Sequence, residues 1–491
     1  MDRQGAQDGE SLKSGSAESK SANEWVTRQR LIALVLVFDV STLVAVGLFT
    51  AMLLLPPAHL ASWQPVFVIG AICLVSVYVH QRLWGYTIAS LGAFPRQTRS
   101  LLLAIVAGFI SVAGLMFLSG VEISPFRLWF LGWLLLLLIV LPFFRLFVSR
   151  SIAQAERRGE LARRAVIVGG GKSCEDLIAR LESSRSNAIR ILGVFDDRDD
   201  ERSPETVRGY RKVGTFAELD GYCRQNRVDL LVVALPATAE ERILHLMKKL
   251  WELPIDVRIA AHASKLKLSK RAYSYIGDVP FLAVFDRPLS DWNATVKWAF
   301  DFVVAALALA ALSPLMALIA LAVKLDSKGP VFFRQKRHGF NNEIIQVFKF
   351  RSMYTELTDH NASRQVTRGD PRVTRVGRFI RRTSLDELPQ LINVLRGELS
   401  LVGPRPHAIE TKAGNRLYQD VVDGYYARHR MKPGITGWAQ INGWRGETDT
   451  VDKIERRVEH DLHYIENWSL AFDVYILVMT PFALLSTRNA Y

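Results

Sequence analysis

Apolar residues come in four long runs near the start of the chain, at roughly residues 31–55, 65–81, 100–119 and 128–148. Each is close to the ~20 residues that carry a helix across ~30 Å of hydrocarbon, the second being the shortest. Basic residues flank the runs unevenly. Arg28 and Arg30 precede the first, Arg82, Arg96 and Arg99 lie between the second and third, and Arg150, Arg157, Arg158, Arg163 and Arg164 follow the fourth. The other two connections hold only Arg127, beside Glu122. By the positive-inside rule, both ends of this set face the cytoplasm.

Residues 1–24 are Ser-, Gly-, Ala- and charge-rich and predict a disordered cytoplasmic tail. No cleavable signal peptide is expected, because the first apolar run is too long. From 165 to about 285 the pattern changes to alternating strands and helices. Ala165–Gly169, Arg190–Phe195, Asp229–Ala234 and Ile255–Ile259 read as strands, and a helix starts near Cys174. That order predicts a parallel sheet with helices on both faces. The turn Gly169-Gly170-Gly171 can present backbone N–H groups to a phosphate. The full dinucleotide fingerprint is absent, since Cys174 stands where its third glycine belongs. Asp196-Asp197 ends the second strand where a ribose-binding acid would sit. A bound nucleotide and a structural or regulatory domain are both compatible with this pattern.

A fifth apolar run, Trp298–Val323, contains Asp301 and a central Ser313-Pro314. Proline has no N–H and crowds the preceding turn, so the helix must kink or break there. The run is either a kinked fifth span or a hairpin that enters and leaves on one side. Ser313 is a candidate partner for the freed backbone groups. Lys297 and Lys324 flank it equally, so charge does not choose.

The chain has 491 residues, 49% of them hydrophobic, and carries a net charge of +14. Such a balance favours anionic partners. Cys73, Cys174 and Cys223 are too few and too scattered for a disulfide framework or a metal site, and point to a reducing compartment. Cations concentrate between Lys324 and Ser384, including Lys349, Arg351, Arg364, Arg368, Arg381 and Arg382. A basic surface beside a membrane gains ~1 kcal/mol per residue from anionic lipid, which is one sufficient account. Nucleic acid is not expected as a partner, because no base-stacking aromatics accompany the cations.

Thr383-Ser-Leu-Asp-Glu-Leu-Pro-Gln390 follows. Pro389 belongs in a helix's first turn, which predicts a helix start close to Asp386. Asp386 and Glu387 then lie at the positive end of a helix dipole. They are either capping residues or a working pair, one attacking phosphorus and the other holding a divalent cation. Adjacent helical residues point about 100° apart, so the two roles do not compete. Mg2+ asks for only one or two carboxylates besides substrate oxygens. Arg405, between Pro404 and Pro406, sits in a rigid turn suited to bidentate phosphate binding.

From about Ala294 to Tyr491 the chain resembles the monotopic polyprenyl-phosphate sugar-1-phosphate transferases, which initiate bacterial surface-polysaccharide assembly. The resemblance rests on Gly329-Pro-Val-Phe-Phe-Arg-Gln-Lys336, Phe348-Lys-Phe-Arg351, Arg381 through Gln390, Gly403-Pro-Arg-Pro406 and Lys432-Pro-Gly-Ile-Thr-Gly-Trp-Ala-Gln440. The preceding segments are similar to the large-form members. The implied fold class is membrane α plus α/β. A tail (1–24), a four-helix transmembrane bundle (25–150) and a Rossmann-like parallel α/β domain (151–290) precede a mostly α catalytic domain (291–491) with a re-entrant helix at 297–324.

The resemblance implies Asp386 as nucleophile and Glu387 as Mg2+ ligand, with Mg2+ as cofactor. It implies that Arg381 and Arg405 hold substrate phosphates, with Lys349 and Arg351 near the same site. It also implies that Ser313-Pro314 breaks a re-entrant helix, which favours the hairpin. The implied reaction moves a sugar-1-phosphate, expected to be glucose-1-phosphate, from a UDP-sugar to undecaprenyl phosphate with release of UMP. It is expected at the inner membrane of a bacterium, on the cytoplasmic side, through a covalent Asp-phosphosugar and ping-pong kinetics. Exopolysaccharide, capsule or O-antigen is the expected end product. Sugar, ligand of residues 165–285 and oligomeric state, a homodimer among the options, stay open.

Two rivals are weighed. Membrane-anchored nucleotide-sugar dehydratases or epimerases share the front half, but need a complete glycine fingerprint and a Tyr-x-x-x-Lys pair. None of the 13 tyrosines has a lysine four residues on. A silent lipid-binding scaffold would not need Asp386-Glu387. His460 and His463, without a Cys or third His nearby in sequence, do not make a metal site.

Overall fold

The computed structural model describes residues 11–183, 189–198, 204–226, 228–235, 239–260, 273–276, 279–357, 370–407, 412–413, 416–417, 422, 424–444 and 450–485. Arg364 and Arg368 of the basic region therefore lie outside the described residues. Two compact units result: Met1–Ala162 with Asp291–Thr295, and Arg163–Ser290 with Val296–Tyr491.

The first unit contains four long helices: α1 (Ser11–Leu54), α2 (Gln64–Arg82), α3 (Phe94–Leu118) and α4 (Arg127–Arg157). α1 begins at Ser11, inside the segment whose composition predicts an unstructured tail. Once an apolar run has nucleated a helix, each further residue adds one hydrogen bond, and Ala, Glu and Lys extend it readily. With α8 below, five helices among the described residues are long and apolar enough to cross a membrane. The protein is a membrane protein with several apolar helices. Trp129 and Trp133 stack at 5.4 Å in the core, and their indole N–H groups donate to the Gly47 and Leu43 carbonyls. An ion pair between Asp39 and Arg145 is also fully buried, with the Tyr86 hydroxyl donating to Asp39. Charges at such depth persist only in pairs.

The second unit opens with an eight-stranded sheet in the order β3-β4-β2-β1-β5-β6-β8-β7. Its strands are β1 (Arg163–Val168), β2 (Ile189–Phe195), β3 (Thr206–Val207), β4 (Tyr210–Gly214), β5 (Leu230–Val233), β6 (Asp256–Ala260), β7 (Tyr273–Ile276) and β8 (Val279–Phe285). The interior strands β4-β2-β1-β5-β6 run parallel, as the alternating pattern predicts. β8 and β7 extend one edge antiparallel. Alternate residues of β1 serve two cores. Val166 and Val168 pack with α6 (Leu219–Asn226) and α7 (Glu240–Leu250), while Ala165 and Ile167 pack with α5 (Lys172–Ser183). Helices thus cover both faces.

The glycine turn after β1 sits at the point where strand order reverses, the usual place for a ligand in such sheets. Here Asp196 fills it: its carboxylate accepts the Gly170 N–H and is gripped by Arg198 at 2.7 Å. The acid expected to meet a ribose meets the chain's own backbone.

After the sheet, α8 (Asp291–Asp326) runs as one helix through Pro314. Pro314 leaves the Ala310 carbonyl without its helical N–H, and the Ser313 hydroxyl donates to that carbonyl at 2.8 Å. An antiparallel pair follows, β9 (Phe332–His338) and β10 (Ile344–Phe350). Next come α9 (Arg375–Arg382), α10 (Gln390–Leu395), β11 (Ser400–Val402), β12 (Gly434–Thr436), α11 (Val451–Glu466) and α12 (Leu470–Leu485). β11 and β12 pair in parallel. The region expected to be mostly α also contains small two-stranded sheets, one carrying Lys349 and another leading into the Arg405 turn.

Candidate active site

Lys349 is the outward residue of a strand whose neighbours Phe348 and Phe350 are buried. Asn393 of α10 fixes that strand from inside, accepting the Phe348 N–H at 2.9 Å and donating to the Gln346 carbonyl at 2.7 Å. Thr374 caps α9 by accepting the Gly377 N–H at 2.9 Å, and α9 delivers Arg381 in its last turn. Ser384 then takes a left-handed φ of 58°, and Leu385–Glu387 forms one 3₁₀ turn before Pro389 starts α10. The helix start predicted near Asp386 is therefore a tighter turn, in which successive residues diverge by about 120°. Pro389 forces this spacing, since its missing N–H suits a helix start but not the turn before it.

The two carboxylates end up in different states. Glu387 Oε1 accepts from Lys349 Nζ at 2.8 Å and from Arg405 Nη2 at 2.6 Å. Burial alone would raise its pKa, but the two cations hold it well below the usual carboxylate range. Asp386 is buried, and among the described residues its carboxylate accepts no hydrogen bond and makes no ion pair. Burial dominates there and raises its pKa, against the pull of Lys349, Arg381 and Arg405 and with the push of Glu387. Lys349, Arg381 and Arg405 thus all act on this pair of carboxylates. An unpaired carboxylate beside a paired one has the makings of a nucleophile and its neighbour.

The loop carrying Arg405 is held tightly. A Cβ on Gly403 would lie 2.4 Å from the Lys432 carbonyl oxygen, and one on Gly434 would lie 2.1 Å from the Gly403 nitrogen. Only glycine lets β11 and β12 approach so closely. Both motif segments, 403–406 and 432–440, acquire a reason. Asp301 of α8 anchors the strand leading into the loop, accepting from Ser400 Oγ at 2.7 Å and the Leu401 N–H at 3.2 Å.

Arg351 does not join the site. Its guanidinium donates to the carbonyls of Val323, Ser327 and Lys328 at the end of α8, the usual task of a cation at a helix C-terminus. Its Nη1 and Nη2 donors go to these carbonyls and to the Thr355 hydroxyl, and among the described residues they make no contact with Glu387 or Arg405. Gly329 makes room for that guanidinium. With φ at 127°, a Cβ there would lie 2.1 Å from Arg351 Nη1. Three residues escaped the sequence reading: Arg337, which donates to the Pro406 carbonyl at 2.7 Å, Arg428, which donates to the Arg405 carbonyl at 2.8 Å, and Asn393. A lone arginine or asparagine carries no periodic signal, so spacing could not single these out.

A family described as bacterial sugar transferase matches residues 292–487, the segment that builds this site. The glucose-1-phosphate transferase of Escherichia coli, named for UDP-glucose and undecaprenyl phosphate, is 41% identical over 67% of this chain and 69% of its own. The chain belongs to the bacterial sugar transferase family. A namesake from Xanthomonas campestris is 37% identical over 74% of each chain. An undecaprenyl-phosphate glucose phosphotransferase of Komagataeibacter xylinus is 44% identical over 67% of this chain, a match spanning 60% of that relative's length. A second family, described as a CoA-binding domain, matches residues 83–261.

Proposed function

We propose that this membrane protein transfers glucose-1-phosphate from UDP-glucose to undecaprenyl phosphate, releasing UMP and making the lipid diphosphate sugar that begins exopolysaccharide assembly. The observation that carries the reading is Asp386: a buried carboxylate, uncommitted among the described residues, beside a doubly paired Glu387 and acted on by Lys349, Arg381 and Arg405. The names of the relatives support the same donor and acceptor, and lend none to a dehydratase, an epimerase or a silent scaffold.

In the first half-reaction an Asp386 oxygen attacks the phosphorus that bears the sugar. The bond from that phosphorus to the bridging oxygen breaks, and UMP leaves with the electron pair. In the second, a phosphate oxygen of the polyprenyl carrier attacks the same phosphorus and expels the Asp386 carboxylate unchanged. Splitting the transfer spares the site two anionic substrates at once and predicts ping-pong kinetics. Arg405 and Arg381 offset charge on the phosphoryl oxygens as it shifts.

The donor set fits Mg2+. Glu387 offers a hard oxygen, Oε2, whose contact with Arg405 is a long 3.5 Å, while Oε1 keeps both cations. Glu387 would hold the ion, which supplies charge to the substrate's phosphate oxygens when bound.

A re-entrant α8 is part of the reading. Both of its arms attach to the domain that follows it: Asp301 to Ser400 and Leu401, and the Val323 carbonyl to Arg351. On a straight helix these attachment points, 22 residues apart, would lie about 33 Å from each other. A bend at Ser313-Pro314 reconciles these attachments and keeps the catalytic domain on the side where α8 enters. The basic loops support placing that side, with the four-helix transmembrane bundle's ends, in the cytoplasm at the bacterial inner membrane. There a soluble donor and a lipid-borne acceptor meet.

The test is to incubate membranes with Mg2+, undecaprenyl phosphate and individual UDP-sugars and to assay the nucleotide released. UMP is expected with UDP-glucose and none from Asp386→Asn. Release of UDP would mean plain glycosyl transfer and end the proposal.

A further inference from the structure

We propose that Arg428 is a positioning residue for Arg405, and that the α/β domain braces the turn carrying it. This rests on the reading of Arg405 as a holder of substrate phosphate. Arg428 lies in a 3₁₀ turn, Tyr425–Arg430, and is fully buried. Its Nη2 donates to the Arg405 carbonyl at 2.8 Å and to Asp461 Oδ2 at 2.6 Å, and its Nη1 lies against the His407 ring. The Tyr425 hydroxyl reaches that ring at 2.7 Å. A planar, always-charged fork thus ties the Arg405 loop to α11. Asp461 is itself buried, so the fork has no freedom to follow a wandering loop.

The other side of the turn belongs to the α/β domain. Gly424 takes φ 74°, and a Cβ there would lie 2.6 Å from the Trp251 ring, just beyond α7. Arg224 of α6 stands 5.0 Å over the Tyr426 ring, and Arg430 donates to the Asp286 carbonyl at 3.2 Å. Few links therefore separate the sheet domain from the active-site arginine: Trp251 and Arg224, then the turn, then Arg428, then the Arg405 carbonyl. The same domain has its glycine turn closed by Asp196. The geometry points to a domain that kept its fold to hold the catalytic half in place.

The full chain in lipid nanodiscs tests this with a double-mutant cycle. The single variants are Arg428→Lys and Arg405→Lys, compared with the pair by kcat/KM for UMP release and by Kd for UDP-glucose. Arg428→Lys is expected to lower kcat/KM roughly 10–100-fold, the usual effect of losing an outer-shell partner. In the Arg405→Lys background the same change is expected to have little further effect, because its route is gone. Independent, multiplicative losses would overturn the proposal.

Arg428 is buried and its variant can fail to fold, so Trp251→Leu and Arg224→Gln form a second cycle from the far side. They are expected to lower kcat/KM several-fold with a nearly unchanged melting temperature, and only while Arg405 is present. A normal kcat/KM in both variants would refute the brace. Should the unmodified protein bind UDP-glucose but release no UMP, the proposed reaction fails, while the cycle in Kd still decides the role of Arg428.

Discussion

Lys349 Nζ lies 2.8 Å from Glu387 Oε1, and Arg405 Nη2 shares that oxygen at 2.6 Å. Glu387 is thereby paired twice while Asp386, its neighbour in sequence, is left unpaired among the described residues. The division of labour between two identical functional groups follows from which of them the cations reach.

Breaking that arrangement is expected to cost both stability and activity. Lys349→Ala leaves Glu387 with one partner in a partly desolvated place, which destabilises by about 1–3 kcal/mol, and kcat/KM should fall at least a hundredfold. Arg405→Lys keeps the charge but not the fork and should weaken UDP-glucose binding. Chemical denaturation and UMP assays on the same preparations measure both effects.

Acid is expected to slow the first half-reaction before it unfolds the protein. Burial raises the Asp386 pKa, so protons compete with catalysis above the ordinary carboxylate range, while Glu387, held low, stays ionised. The stability term has the opposite sign. In the window between the ordinary and the raised value, the folded state keeps a proton that the unfolded state has lost, so stability falls as pH rises through it. Asp386→Asn should therefore melt at the same or a higher temperature at neutral pH while losing UMP release. A lower melting temperature would contradict the assignment.

Arg351→Lys separates a structural arginine from a catalytic one. The cap on α8 is expected to weaken, lowering the melting temperature, with KM for UDP-glucose unchanged. A raised KM at normal stability would return Arg351 to the phosphate site.

Single-cysteine labelling reports the course of α8. With Cys73, Cys174 and Cys223 replaced, cysteines at Ser290 and Ser327 are expected to react with a membrane-impermeant reagent from the same side of sealed vesicles. Labelling from opposite sides would make α8 a fifth span.

Asp473 gives the sharpest stability prediction. It is fully buried in α12 and takes Lys297 at 2.7 Å, the Tyr464 hydroxyl at 2.6 Å and the Trp468 N–H at 3.1 Å. Asp473→Ala leaves buried Lys297 with only its longer 3.7 Å pair to Asp301 and orphans the Tyr464 hydroxyl, and should destabilise by about 1–3 kcal/mol, measured by chemical denaturation in detergent.

Much of this protein is legible along the chain, because helix length, strand alternation and turn chemistry are local. Runs such as 128–148 had to be long apolar helices, and Ala165–Gly169 had to be a buried strand. Pro389 marked a helix start to within a few residues, and Ser313 proved to be the partner that Pro314 requires. The motifs around Asp386-Glu387 carried the resemblance to the sugar transferases, the family to which the chain belongs. What tertiary structure alone decided concerns pairings between residues far apart in sequence. The sequence placed Lys349 and Arg351 together, two residues apart, where a continuing strand would set both on one face. β10 instead ends at Phe350, so Lys349 reaches Glu387 while Arg351 turns to the carbonyls of α8. Nothing local marks Asp196 as the plug of its own glycine turn, Asp39 as the partner of Arg145, or Arg428 as the holder of Arg405. A charge's partner is set by what the fold brings within a few ångströms, and burial then sets what that pairing is worth.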